Sequence, residues 1–271
     1  MPNNYVRLPH VKADGGLTGT TFDAALLRLI ERVSRAFDSV CQRHFYSFAG
    51  TRYYPPSGAD QLRLDDLISA TSIKVDQSGL GTFATVLAAE TDYWLWPYNR
   101  QSHEPARRVD LNPYSTVLGA FSSTGRGVQV VGVFGYSQET EDSGLTGTLD
   151  SASDTTITAN NDAAATIYAG DTLLIESEQV HVASVVTTTV TVVRGLNGTV
   201  AVAHTAKPLL IRRYPRDLEE ATVLQVMRLW RQQQTGGADA FGADGGMGFS
   251  TLYPVIRDLL QPLMLHPVGV G

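Results

Sequence analysis

The spacing of apolar residues changes along this chain, and that change constrains the fold more than any other sequence feature. Near the N-terminus, apolar residues recur every three or four positions from Phe22 to Cys41, which predicts an amphipathic helix. The same period returns from Pro215 to Trp230, and a further helix, almost wholly apolar, is predicted over about 253–265. The segments between the first two helices have the pattern of strands.

Short β-branched and aromatic runs lie between Tyr46 and Tyr136, separated by clusters of Gly, Pro, Asn and Ser. Asp65 and Asp66 are interpreted as turn residues before one of these strands. Neighbours in an extended stretch point to opposite faces, so this pair is poorly placed to share a proton or a metal ion. The predicted strands are Tyr46 to Tyr54, Ile68 to Val75, Thr82 to Val86, Tyr93 to Trp96 and Gly127 to Phe134.

Composition shifts sharply over residues 144–206, which are rich in Thr and Val. Six acidic side chains in this segment face a single basic one, Arg194, so it carries most of the formal net charge of -6. Short apolar runs in the segment read as strands, and Asn197-Gly198 favours a tight turn with positive φ angles. We predict a separate small β domain here.

Charge and hydropathy disfavour two classes of partner. The isoelectric point of about 5.5 does not favour sequence-specific nucleic-acid binding. The sequence has neither a basic and apolar leader at its N-terminus nor a long uninterrupted apolar run, so we expect a soluble protein made in the cytoplasm, without a membrane partner. The single cysteine, Cys41, lies on the apolar stripe of a helix and is predicted to be a buried small hydrophobe.

No constellation in the sequence indicates catalysis. The six histidines are isolated from one another, with no two at the spacing of metal ligands. Residues 242–248 are glycine-rich, but they follow a helix rather than a strand and are interpreted as a hinge instead of a phosphate-binding loop. We therefore predict no catalytic residues, no metal and no cofactor; a hydrolase is the least favoured function.

An aromatic group over Tyr93, Trp94, Trp96 and Tyr98 has two interpretations. Exposed rings would make a stacking platform for a sugar or a nucleobase. Alternation places Trp94 and Trp96 on one strand face, where burial in a core or a subunit interface is commoner, and burial is the favoured interpretation.

The last predicted helix has almost no polar face, so other residues must cover it. The glycine-rich stretch from 236 to 248 would let it reach a neighbouring molecule. We predict that it docks outside its own subunit; the alternative is that it folds back onto the Phe22 to Cys41 helix. The predicted interface residues, toward the portal or a neighbouring subunit, are Tyr253, Ile256, Leu259, Leu260, Leu263 and Met264.

A series of motifs in this order resembles a family of head-to-tail connector (adaptor) proteins of long-tailed bacteriophages and prophages. The motifs are Arg43-His44-Phe45 at a helix end, Thr51-Arg52-Tyr53-Tyr54, Leu62 to Ser72, Tyr93 to Asn99, Arg126-Gly127-Val128 leading to Phe134-Gly135-Tyr136, Pro215 to Trp230 and, more weakly, Val255 to Leu263.

The resemblance implies that the β domain is an insertion. In such relatives the Phe-Gly-Tyr strand is soon followed by the proline and the helix, whereas here a long segment intervenes. Within it, Val192 to Thr199 and His204 are similar to a small β module that recurs in phage tail and baseplate proteins. We predict an α+β fold, with N- and C-terminal helices packed with a β region, plus an inserted all-β domain. The predicted segments are 1–139 and 213–271 for the core and 140–212 for the insertion.

The resemblance also implies a function. Members of such a family form a ring, usually dodecameric, that docks beneath the portal protein of the virion neck and continues the DNA channel toward the tail. The implied partners are identical subunits, the portal protein, a head-completion (stopper) or tail-terminator protein, and passing genomic DNA without sequence specificity. The alternative is a carbohydrate- or receptor-binding tail accessory protein.

Overall fold

The computed structural model describes residues 3–101, 104–123, 125–234 and 253–265. Of these residues, 36% lie in strands and 24% are helical. The predicted fold class, an α+β fold in which terminal helices pack with a β region, is therefore wrong. The described part of the chain is mostly β, with one closed barrel of six strands.

The physical reason is that strands enclose two large hydrophobic cores within the described residues. One core is built from strand residues between Tyr54 and Phe134, and the other from strand residues between Leu145 and Ile211. Contacts divide the chain into two units, which we call the sheet unit (44–138) and the helix–barrel unit (1–43 with 139–271). The helices at the chain ends bury apolar residues of their own, such as Ile30, Phe37 and Val226, but fewer described residues lie in helices than in strands.

The sheet unit is a six-stranded antiparallel sheet with the order β1-β6-β2-β5-β4, and β3 also pairs with β2. The long strand β2 pairs with β5 along its first part and with β6 along the rest. The strands are β1 (Phe48–Tyr54), β2 (Gln61–Val75), β3 (Thr85–Leu87), β4 (Tyr93–Trp96), β5 (Ala106–Leu111) and β6 (Val128–Phe134).

Gly132 in β6 and Gly135 directly after this strand allow neighbouring backbone to approach closely. A Cβ on Gly132 would lie 2.2 Å from the carbonyl oxygen of Ser69, and one on Gly135 would lie 2.1 Å from that of Tyr46. Gly135 also has a φ of 120°, which side chains rarely adopt. The glycine of the Phe134-Gly135-Tyr136 motif is therefore required by the packing of the sheet.

The helix–barrel unit contains the closed barrel, with the strand order β10-β11-β8-β7-β12-β9 and pairing of β9 with β10. The chain enters and leaves the barrel at neighbouring points, because Arg212 pairs with Thr140 and the amide of Arg213 donates to the carbonyl of Glu139 at 3.0 Å. The segment boundaries 140–212 remain a prediction. The strands are β7 (Thr140–Leu149), β8 (Thr156–Ala159), β9 (Thr172–Ile175), β10 (Glu178–Val186), β11 (Thr189–Leu196) and β12 (His204–Arg212).

Four α-helices belong to the described residues of the helix–barrel unit. Helix α2 contacts α3, and α3 also contacts α1 and α4. Helix α1 was not predicted, since its seven residues are too short for a clear period. None of the described helices is long and apolar enough to cross a membrane. The helices are α1 (Leu8–Asp14), α2 (Asp23–Cys41), α3 (Arg216–Gln234) and α4 (Pro254–Leu260).

Candidate functional site

Three of the six predicted interface residues are buried within the chain itself. Ile256, Leu260 and Leu263 are 2%, 0% and 5% exposed. Leu259 and Met264 are half-buried, and Tyr253 is exposed. The apolar face of α4 is therefore largely covered without another molecule.

Helix α3 and the end of α2 provide that cover. Helix α4 contacts α3, and the Arg43 side chain donates to the carbonyl of Leu263 at 3.0 Å. The amide of Leu265 donates to the carbonyl of Cys41, also at 3.0 Å. An external docking role for the six residues stays a prediction. The predicted hinge, 236–248, lies outside the described residues.

The aromatic group lies on and beyond the edge strand β4. Tyr93 is buried and Trp94 half-buried, while Trp96 and Tyr98 are 36% and 61% exposed, so these last two rings do not lie in the core of the chain. Burial of these rings in a subunit interface stays a prediction. The Tyr98 hydroxyl donates to Asp110 at 2.6 Å. The guanidinium of Arg108, which pairs with Asp110, lies 4.7 Å from the Trp96 ring centroid. The two exposed rings are thus held in place by a charged pair.

A buried carboxylate in the barrel accepts several hydrogen bonds. Glu178 is fully buried and accepts two hydrogen bonds from Arg194, each of 2.7 Å. The amides of Gly195 and Val202 also donate to it, at 3.1 and 3.2 Å. Burial would raise the pKa of Glu178, but the hydrogen bonds from Arg194 and His204 outweigh burial and lower it to about 2.

His204 lies between two carboxylates. Its Nε2 is 2.9 Å from Glu178, its Nδ1 is 2.8 Å from Glu176, and its side chain is fully buried. Both ring nitrogens of His204 therefore lie within hydrogen-bonding distance of a carboxylate.

This network connects loops of the barrel. Besides Glu178, the Arg194 side chain donates to the carbonyls of Ser151 and Asp154, at 3.1 and 2.8 Å. Arg194 and His204 therefore hold parts of the barrel together. Within the described residues, no group of three or more His, Cys, Asp or Glu side chains could hold a metal ion.

Sequence reasoning missed Glu178, although a signal was available. Arg194 is the only basic residue among six acids over 144–206, and a lone cation in such a segment indicates a specific partner. The closed barrel determines which of the six acids pairs with Arg194.

The N-terminal segment is attached to the barrel by polar contacts. The side-chain amides of Asn3 and Asn197 donate to each other at 2.9 Å, and both residues are buried. Arg7 pairs with the buried Asp171 at 2.8 Å. Asn197 and Gly198 have φ angles of 56° and 77°, which confirms the predicted turn.

A groove lies beside the first two turns of α3, with α1 and α4 at its sides. We call it the acidic groove; its volume is about 610 Å³. Burial raises the pKa of Glu219 in this groove, and burial together with Arg213 and Arg7 lowers that of His10. The lining residues are Val6, His10, Ala13, Asp14, Arg216, Asp217, Glu219, Glu220, Val223 and Leu259.

Two further predictions are decided by the structure. Cys41 is fully buried, as predicted, and burial raises the pKa of its thiol to about 12. Asp65 and Asp66 lie within β2 rather than in a turn. They point to opposite faces, since Asp65 is exposed and pairs with Arg52, whereas Asp66 is buried.

Neither a protein-family model, nor a curated protein, nor a solved structure matches this chain.

Proposed function

We propose that this protein is a structural subunit of a bacteriophage particle, a head-to-tail adaptor of the virion neck that is assembled in the host cytoplasm. Identical subunits form a ring beneath the portal protein and continue the DNA channel. The lower face of the ring binds a stopper or tail-terminator protein. The ring acts by shape and not by catalysis.

The observation that carries the proposal is where the resembling motifs lie in the fold. Thr51 to Tyr54, Leu62 to Ser72 and Arg126 to Tyr136 are far apart in sequence, yet they occupy β1, β2 and β6, three adjacent strands of one sheet. A second set, the helix that ends before Arg43 and the helix from Arg216, forms the contact between α2 and α3. A series of motifs that meets in this way is typical of a shared architecture and supports the resemblance.

Electron microscopy of the purified protein, alone and with a portal protein of the same phage, tests this function. We expect closed rings that stack coaxially on the portal. Monomers that do not bind the portal protein would contradict the proposal.

The exposed Trp96 and Tyr98 favour a second candidate, a carbohydrate- or receptor-binding tail accessory protein. Exposed rings fixed beside charged groups are a common arrangement for stacking on sugars. A glycan array discriminates the two candidates: saccharide binding that is lost in Trp96→Ala, without rings, would favour the accessory protein.

A further inference from the structure

A ring of identical subunits needs two different surfaces on each subunit, because a head-to-tail contact joins one surface to another. The helix–barrel unit carries two surfaces of opposite charge. The first is the acidic groove, whose exposed acids Asp14, Asp217 and Glu220 form no ion pair with any described residue. Among the described residues that line this groove, the basic side chains are Arg216 and His10.

The chemistry of the groove matches an arginine side chain. Apolar residues, Val6, Val223 and Leu259, line it together with the acids. In the described residues these acids do not converge into a group that could hold a metal ion. An arginine places its methylene stem on apolar surface while its planar guanidinium binds carboxylates with two hydrogen bonds, so it fits both parts of the groove.

The second surface is on α2. Arg28 and Arg32 are exposed and lie four residues apart, so they are neighbours on the solvent side of the helix. We call this pair the basic ridge. Arg28 forms no ion pair with the described residues. The ridge and the groove share no residue.

We propose that the acidic groove of one subunit binds the basic ridge of the next copy of this chain, and that this contact closes the ring. The inference rests on the proposed function, since it specifies how the ring is held together. The contact is charged, so ring formation is expected to weaken as salt concentration rises.

Charge reversal on each surface tests the contact. Glu220→Arg reverses charge in the groove, and Arg28→Glu reverses charge on the ridge. Each variant alone is expected to shift assembly to about tenfold higher protein concentration, because an attractive pair becomes a repulsive one. Mass photometry over a dilution series measures the shift.

Mixing the two variants gives the decisive result. In an alternating ring, the reversed groove of Glu220→Arg faces the reversed ridge of Arg28→Glu, and the two unchanged surfaces face each other. An equimolar mixture, and the double variant, should therefore regain rings. The controls are Asp150→Arg on an exposed barrel loop and Arg63→Glu on the exposed face of β2, which change net charge equally and should assemble like the wild type. Circular dichroism melts confirm that every variant is folded.

The outcomes separate this inference from the proposed function. If the wild type forms no rings, the proposed function fails. If the wild type forms rings and the single variants do so equally well, or the mixture does not restore them, the groove–ridge contact is overturned while the ring function stands. If Glu220→Arg still forms rings but no longer binds the portal protein, the acidic groove binds a basic segment of the portal protein. This result would also overturn the inference.

Discussion

At the scale of single residues, the buried carboxylate of Glu178 links barrel stability to acid pH. Its pKa lies at about 2 in the folded chain, below the ordinary value of 4.5. A lowered pKa contributes stability that is complete above the ordinary value and is lost as pH falls toward the folded value. We expect the stability difference between the wild type and Glu178→Gln to shrink between about pH 4.5 and 2.

Urea unfolding of the two proteins across this pH range measures the effect. Asp150→Asn, at an exposed carboxylate of the barrel, is the matched control and should follow the wild type. A difference between wild type and Glu178→Gln that stays constant down to pH 2 would show that the carboxylate is not held in its charged form.

Arg194 gives a second prediction at this scale, because its planar group donates to several acceptors at once. Lysine keeps the charge but cannot form the paired contact with Glu178 and also reach Ser151 and Asp154. We expect Arg194→Lys to destabilise the barrel by about 2–3 kcal/mol. Arg63→Lys, on the exposed face of β2, should change stability by less than about 0.5 kcal/mol. Equal denaturation midpoints for the two variants would refute a connecting role for Arg194.

Local chemistry could be predicted from sequence at some residues and not at others. The burial of Cys41 followed from its place on an apolar helical stripe, and the Asn197-Gly198 turn from residues that adopt positive φ angles. Glu178 and His204 are 26 residues apart and meet only because β12 and β10 both pair with β9. No spacing rule indicates such a pair.

At the scale of elements, α4 offers a direct test of what covers its apolar face. Leu260 is fully buried and Val255, on the same helix, is 61% exposed. If α4 packs on its own subunit, Leu260→Ala should cost about 2–5 kcal/mol in the isolated monomer. Val255→Ala should cost much less. Thermal denaturation at concentrations too low for assembly measures both; a melting temperature unchanged in Leu260→Ala would instead support docking on another chain.

Strands were predicted where β-branched and aromatic residues dominate and were missed where charges interrupt the pattern. The strand β5 contains Arg107, Arg108 and Asp110, and the first part of β2 contains Asp65 and Asp66. These charges are accommodated because Arg108 pairs with Asp110 and Asp65 pairs with Arg52. Ion pairs within the sheet therefore stabilise as strands two segments whose sequences alone are typical of loops.

At the scale of the whole molecule, we predict that residues 44–138 fold when expressed alone. Their sheet and hydrophobic core are complete within this range. We expect dispersed amide resonances and a cooperative unfolding transition. A matched fragment, 44–120, lacks β6, which lies between β1 and β2, and should remain unfolded. An unfolded 44–138 fragment would show that the sheet unit depends on the rest of the chain.

The fold class could not be predicted because periodicity identifies elements but not which elements enclose a core. The helices at the chain ends were recognised, yet α1 and the N-terminal segment form a unit with the barrel through Asn3 and Arg7, whose partners lie more than 150 residues away. The sequence did not indicate that the β domain predicted over 144–206 makes these contacts with the N-terminal segment. Removing the barrel would leave the partners of Asn197 and Asp171 exposed.

The neighbouring ends of the sheet unit have a mechanical consequence. The amide of Tyr136 donates to the carbonyl of His44, and that of Ser137 to Phe45, where the chain passes into and out of the unit. A pulling force applied through the chain would therefore load these few bonds first and would peel β1 from β6 one bond at a time. The sheet unit should consequently yield at low force in a stretching experiment, even though its thermal stability is that of a complete sheet.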